Sequence, residues 1–201
     1  MKKIMGVAAI AAILALTGCG GGETESPAAP SVEPAKGTES PQASPSASAG
    51  PEKSPRGNLV KELGEGAGMS GENGEQVFTF AVNSIAVDPG CTSEYATAPE
   101  NGHFVVLDIS VETHPAMADD QFMNPLNLSA HNIKLIAPNG TTSNASLATG
   151  SAYMCLNDAE MLPSAFGPAE KATGKIVVDT ESPNGTLIVS AYGQDAWEYN
   201  F

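Results

Sequence analysis

The residues best suited to bind a metal ion are three histidines and four methionines in the C-terminal half of the chain. Imidazole and thioether groups are good copper ligands, so this set allows a copper site. None of these residues lies at close ligand spacing, however, and the Cys-x-His-x-Met run of blue-copper proteins does not follow Cys155. The alternative is that they are separate core and loop residues. The set consists of His103, His114, His131, Met117, Met123, Met154 and Met161.

The chain carries no motif that predicts an enzyme. Asp119-Asp120 could bind calcium, but the ligand rhythm and turn glycine of an EF-hand loop are missing, which favours solvated loop carboxylates. Gly174-Lys175 resembles the end of a phosphate-binding loop, but Ala169 and Ile176 replace essential residues of that motif. The G-x-S-x-G and H-E-x-x-H motifs are absent. We therefore expect no catalytic residues and no cofactor.

The first 19 residues have the features of an export signal. Lys2 and Lys3 provide a positive start, and residues 4–16 form an uncharged apolar run that is shorter than the roughly 20 residues of a membrane span. The segment Leu16-Thr17-Gly18-Cys19 resembles the bacterial lipobox. This resemblance implies that the signal peptide, residues 1–18, is removed and that the thiol of Cys19 is diacylated with chains such as palmitate. Ordinary signal cleavage, with Cys19 left as a free thiol, is the alternative.

The composition changes after Cys19. Residues 20–57 are mainly Gly, Ser, Thr, Pro, Ala and Glu, and they hold seven of the 15 prolines. Such a segment buries too little apolar surface to offset its chain entropy, so we predict a disordered tether over residues 19–58. A proline-rich ligand for a partner domain is the alternative. A Gly-rich transition, residues 59–73, then leads into a folded domain, residues 74–201.

The folded part of the chain carries a large excess of acid. Residues 59–201 contain four Lys or Arg against 18 Asp or Glu. This balance argues against nucleic acid as a partner, because such binding depends on Lys and Arg that neutralise phosphates. Anionic lipid headgroups would repel the domain, so the lipid on Cys19 would have to hold it at the membrane.

Two cysteines remain once Cys19 is assigned to the lipid anchor. Outside the cytoplasm the pair Cys91 and Cys155 most simply forms a disulfide. A metal-binding pair or two free thiols are the alternatives. Closing a loop of this length would stabilise the fold by about 4 kcal/mol in the chain-entropy model.

From Gly74 onward the hydrophobic pattern is that of β-strands. The pattern predicts a bulge at Asn83-Ser84, where the alternation slips by one residue. Three Asn-Gly pairs, beginning at residues 101, 139 and 184, are typical of tight turns. Helical periodicity is limited to one short candidate turn in residues 152–161. Seven or eight short strands indicate a β-sandwich. The clearest of them are residues 76–87, 105–111, 133–135, 175–180, 186–192 and 197–201.

Two stretches carry a family resemblance. The first is residues 102–113, and the second runs from Leu162-Pro163 through residues 171–179 to residues 187–190. Both are similar to the immunoprotective-extracellular, immunoglobulin-like domains of mycobacterial secreted antigens and Gram-positive lipoproteins. The resemblance spans roughly residues 74–201. It implies an all-β, immunoglobulin-like two-sheet sandwich that is exported and displayed at the cell surface, and it implies no reaction and no ligand.

These features predict a Gram-positive lipoprotein on the extracellular face of the cell membrane. Its membrane contact would be the lipid, and its acidic domain would bind an envelope protein or wall component. The long irregular segments 114–130 and 151–166 are candidate contacts, because long loops are often functional. The alternative is that they only cover the core. A lipoprotein that binds a small solute or copper is the second functional hypothesis.

The lipid anchor gives a direct test. We expect Cys19→Ala to move the chain from the membrane fraction to the soluble fraction, because stable anchoring needs two acyl chains. Cell fractionation with immunoblotting measures this shift, with Ser31→Ala in the tether as the control. Unchanged membrane retention of Cys19→Ala would contradict the anchor.

Overall fold

The predicted immunoglobulin-like two-sheet sandwich is confirmed. The computed structural model describes residues 52–192 and 195–201, so the predicted signal peptide, Cys19 and the tether up to residue 51 lie outside the described residues. The described residues form ten strands, eight of them in two four-stranded sheets. The strands are β1 (Leu59–Val60), β2 (Ala67–Ser70), β3 (Gln76–Val87), β4 (His103–Thr113), β5 (Leu126–Asn127), β6 (Ile133–Ile136), β7 (Ala165–Phe166), β8 (Lys171–Thr180), β9 (Thr186–Tyr192) and β10 (Asp195–Asn200).

Helical structure within the part of the chain that the structure describes is limited to short segments. The α-helix α1 covers Gly150–Tyr153, within the connection between β6 and β7. Three 3-10 turns cover Pro115–Asp119, Ala130–Asn132 and Asp158–Glu160. No helix among residues 52–192 and 195–201 has the length and apolar character needed to cross a membrane.

The order of the strands explains the immunoglobulin-like class. One sheet has the order β2-β3-β4-β8, and the other has the order β1-β10-β9-β6. Strands β3, β4 and β8 therefore correspond to strands A, B and E of immunoglobulin folds, and β6, β9 and β10 correspond to C, F and G. Strand β1 pairs parallel to β10, while the other neighbours in both sheets are antiparallel. Strands β5 and β7 form a separate two-stranded pair.

Alternate side chains of β3, β4 and β8 point between the two sheets and form the main core there. The register of β3 on β4 shifts between Val82 and Ser84, which confirms the predicted bulge. Trp197 of β10 is buried, and its ring lies edge-on to Phe78 and Phe80, with ring centroids 6.3 and 5.0 Å away. Such edge-to-face contacts add to the burial of these large side chains.

The three Asn-Gly pairs occupy different kinds of connection. Asn139-Gly140 makes a tight turn, in which the Gly140 N–H donates to the carbonyl of Ala137 and Gly140 has φ 83°. The pair at residues 101–102 ends the long connection between β3 and β4, and the pair at 184–185 joins β8 to β9 in the opposite sheet. All three Asn-Gly pairs therefore lie in connections between strands, as predicted, but only the pair at residues 139–140 forms a tight turn.

Residues 52–60, which we call the strap, lie against β10. The strap folds back on itself, with Lys53 opposite Leu59, and its last two residues form β1. Glu198 of β10 is only 3% exposed because the strap covers it. The Arg56 guanidinium donates to both carboxylate oxygens of Glu198, at 2.8 and 2.6 Å. Ser54 Oγ and Asn58 Nδ2 also donate to Glu198, at 2.8 and 2.7 Å, so the first described residues belong to the fold.

Two connecting segments pass from one sheet to the other on opposite sides of the sandwich. Strands β1 and β2 are the sheet edges on one side, and residues 61–66 join them. Strands β6 and β8 are the edges on the other side. Residues 143–149, which we call the crossover, pass from β6, where Ser143 N–H donates to Leu135, to β8, where Asp179 N–H donates to Leu147. Both edges are therefore partly covered, which limits edge-to-edge association.

Glu198→Gln tests the contribution of the strap contact to stability. The Arg56 hydrogen bond holds the pKa of Glu198 below its usual range. The stabilisation from the carboxylate is therefore present at neutral pH, and it is lost as the pH falls from about 4.3 through the lower folded-state pKa. We expect the variant to lower the free energy of unfolding at pH 7 by about 2 kcal/mol.

Urea unfolding followed by the fluorescence of Trp197 measures this difference, and the difference between the two proteins should shrink as the pH falls below about 4. Glu112→Gln is the control, because the pair between Glu112 and Lys171 is exposed and should contribute little. Equal losses in the two variants would contradict the buried role of Glu198.

Candidate functional site: a disulfide-linked surface on one sheet

The predicted disulfide between Cys91 and Cys155 is confirmed. Cys91 lies in the connection between β3 and β4, and Cys155 follows α1. The bridge does not join the two sheets as the B–F disulfide of antibody domains does. It joins residues 88–102 to residues 148–162, and we call these two segments the disulfide-linked loops. The N–H groups of Thr92 and Ser93 donate to the carbonyl of Cys155 and align the two loops.

The disulfide-linked loops cover part of the outer face of the β2-β3-β4-β8 sheet. A second, smaller core forms there, separate from the core between the sheets. The sheet contributes outward-facing apolar residues of β4 and β8, and the second loop contributes residues of α1 and the segment after it. This arrangement buries apolar area on both faces of the same strands, which stabilises the loops. The buried members are Phe104, Val106, Val177, Ala152, Cys155 and Leu156.

A buried carboxylate at the end of β8 holds both loops. Asp179 has no exposed surface and accepts hydrogen bonds from the backbone N–H groups of Glu100 and Asn101, at 2.7 and 2.9 Å. On its other side the Thr149 and Ser151 hydroxyls donate to Asp179 Oδ2, at 2.8 and 3.1 Å. A buried carboxylate is tolerated only when such donors replace its hydration. One side chain therefore fixes the end of the first loop and the start of the second.

Ion pairs and hydrogen bonds fix the remaining ends of the loops. Asp88 begins the first loop, accepts from the Phe104 N–H and lies 2.8 Å from His103 Nδ1. The contact with His103 lowers the pKa of Asp88. In the second loop, Glu160 accepts from the Thr92 hydroxyl and pairs with Lys175 of β8 at 3.2 Å. The Thr92 hydroxyl is the main reason that the pKa of Glu160 is lowered.

Three large apolar or aromatic side chains project from these fixed loops into solvent. Tyr95 is 72% exposed, Tyr153 is 46% exposed and Met154 is 41% exposed. Tyr95 belongs to the first loop, whose backbone bonds to Cys155, and the other two residues immediately precede Cys155. We call these three residues the aromatic patch. The disulfide and the hydrogen bonds from Thr92 and Ser93 to Cys155 hold together the parts of the loops that carry these residues.

The aromatic patch continues onto the side of the sandwich that the crossover closes. The ring of Tyr153 lies 6.1 Å from the ring of His131, which belongs to the 3-10 turn before β6. His131 and Lys134 line a pocket of about 180 Å³ between that turn, β6 and the crossover. The strap lies on the opposite side of the sandwich, beside β10.

The structure separates the residues of the copper hypothesis. Met117 and Met123 are buried in the main core. His103 pairs with Asp88, His131 lies beside Tyr153, and His114 lies at the opposite end of β4 from His103. Among the residues that the structure describes, no three His, Cys, Asp or Glu side chains are arranged to hold a metal ion.

The two segments predicted as contacts have different surroundings. Most of segment 114–130 covers one end of the main core, through the buried side chains of Met117, Met123, Leu126 and Leu128. Its exposed part, Asp119 to Phe122, lines a groove with carboxylates of the turn between β2 and β3. Segment 151–166 instead carries Tyr153, Met154 and Cys155.

Sequence reasoning missed the first disulfide-linked loop and Asp179. Both left a weak signal: Asp179 follows the apolar run of residues 176–178 in a predicted strand, and Phe104 and Val106 break the alternation of β4. An apolar residue on the polar side of a strand indicates that something covers that side.

Comparison of the chain with protein-family models, with curated proteins and with solved structures finds no match.

The disulfide-linked loops give a stability prediction. We expect the double variant Cys91→Ala/Cys155→Ala to lower the free energy of unfolding by about 4 kcal/mol, because the bridge no longer restricts the unfolded chain. Amide hydrogen exchange should accelerate most in residues 88–102 and 148–162 and least in β9 and β10. Wild-type protein treated with reductant provides the matched comparison. Uniform acceleration throughout the sandwich would contradict a local role for the bridge.

Proposed function

We propose that this chain is a bacterial surface lipoprotein, anchored by the lipid on Cys19, whose immunoglobulin-like domain binds a protein partner in the cell envelope. The aromatic patch is the binding surface. The observation that carries this proposal is the exposure of Tyr95, Tyr153 and Met154 on loops that a disulfide and a buried carboxylate hold in place. The domain acts as a binding module, and no catalytic step is assigned to it.

The composition of the patch supports a protein partner. Tyr and Met are enriched in protein interfaces, whereas Lys, Glu and Asp are depleted. Tyrosine supplies a large contact area and loses little conformational entropy on binding, because it has only two side-chain torsions. Rigid loops reduce the entropy cost of binding further, since less backbone has to be ordered.

The location of the patch also supports this function. The strap is the point where the preceding chain joins the domain, and it lies on the β1 and β2 side of the sandwich. Tyr153 lies beside the 3-10 turn that leads into β6, at the other side. The strap and Tyr153 therefore lie at opposite edges of the sandwich.

Site-specific photo-crosslinking tests the proposal on intact cells. We expect a benzoylphenylalanine residue in place of Tyr153 or Tyr95 to give a discrete crosslinked adduct after irradiation, detected by immunoblotting and identified by mass spectrometry. The matched control is the same replacement at Leu63, which is 50% exposed but lies between β1 and β2 on the strap side. Equal adducts from both sides, or adducts from Leu63 alone, would contradict the proposal.

A further inference from the structure

Lys134 is unusual among the basic residues of this acidic domain. The described part of the chain contains six Lys or Arg, and four of them pair with carboxylates. Lys53 and Lys134 form no such pair within residues 52–192 and 195–201. Lys53 belongs to the strap, whereas Lys134 lies on β6, close to the aromatic patch. The paired residues are Arg56 with Glu198, Lys61 with Glu65, Lys171 with Glu112 and Lys175 with Glu160.

Lys134 lines a small pocket together with other groups that can donate hydrogen bonds. The pocket of about 180 Å³ is formed by the 3-10 turn before β6, by β6 itself and by the crossover. His131, Ser143 and Ser146 line it beside Lys134. The Lys134 ammonium group, the His131 imidazole and the Ser146 hydroxyl can donate to a carboxylate or a phosphate. The Ser143 hydroxyl already donates to Glu181.

The pocket lies at the edge of β6 and is open to solvent. Ile133, Leu135 and Leu147 also line it, and all three are buried members of the main core. His131, Lys134 and Ser146 are exposed, so an anion from solvent can reach their polar groups. The small volume suits a compact anionic group and leaves no room for a large ligand.

We propose that this pocket binds an anionic group, a carboxylate or a phosphate, presented by the partner that docks on the aromatic patch. This inference rests on the proposed function, because the 6.1 Å contact between the rings of His131 and Tyr153 makes pocket and patch one continuous surface. The pocket gives the acidic domain a positive charge beside the patch and so fixes the orientation of the partner. Electrostatic complementarity of this kind contributes mainly to specificity.

One carboxylate beside the pocket would repel a bound anion. Glu181 accepts a 2.6 Å hydrogen bond from Ser143 Oγ, so its negative charge is next to the pocket. Replacing Glu181 with Gln should remove this repulsion while keeping an acceptor for Ser143. The affinity of the pocket for an anion should then rise about threefold.

Titration of the ¹⁵N-labelled full chain in neutral detergent tests the pocket without any partner. Sodium acetate and sodium phosphate are added separately at constant ionic strength against sodium chloride. We expect saturable amide shifts at residues 131, 134, 143 and 146. Lys134→Gln should weaken the apparent affinity at least about tenfold, because it removes a charge-assisted contact. Lys53→Gln, which removes an equivalent charge on the strap side, should leave it unchanged.

Each outcome has a defined meaning. Saturation by acetate alone identifies a carboxylate of the partner, and saturation by phosphate alone identifies a phosphorylated group. Shifts that do not saturate, or that are equal in Lys134→Gln and Lys53→Gln, would overturn the pocket. The crosslinking at Tyr153 separates the two proposals. If Tyr153 gives an adduct but the pocket binds neither anion, the anion site is rejected and the patch remains the contact with the partner.

Discussion

The buried carboxylate of Asp179 is the interaction on which the candidate binding surface depends. It lies at the end of β8 on the outer face of its sheet and accepts from two backbone N–H groups of one loop and two hydroxyls of the other. Loss of any of these donors would leave a buried charge without its full complement of hydrogen bonds, which is costly. Asp179 therefore fixes the end of the first loop and the start of the second, and the disulfide joins the two loops at Cys91 and Cys155.

This arrangement gives the β2-β3-β4-β8 sheet two apolar faces of different size. The inner face packs in the sandwich core, while the outer face carries the smaller core formed with Phe104, Val106 and Val177. The loops are held by packing, by hydrogen bonds and by a covalent bond at the same time. Such redundancy keeps Tyr95, Tyr153 and Met154 exposed on a fixed backbone, which reduces the entropy that binding would otherwise cost.

A few ion pairs neutralise some of the excess carboxylates of this domain. Most of its cations are paired with carboxylates, and the pair between Arg56 and Glu198 joins the strap to the last strand. The strap lies beside β10 at one edge of the sandwich, and Tyr153 lies beside His131 at the other edge. Lys134 remains as the local positive charge beside the patch.

The sequence by itself predicted six of the ten strands, the bulge at Asn83-Ser84 and the cysteine pair, because these depend on local alternation and on the parity of the cysteines. It did not predict β1, β2, β5 and β7, which are short and are defined by pairing with distant residues. It also indicated a sandwich, since short alternating strands must bury one face each. Only the tertiary structure decided that Glu198 is buried under the strap, that Asp179 joins the two loops and that Tyr153 lies beside His131. These three features join residues that are far apart in the chain, and local periodicity carries no information about which distant loop covers a given face.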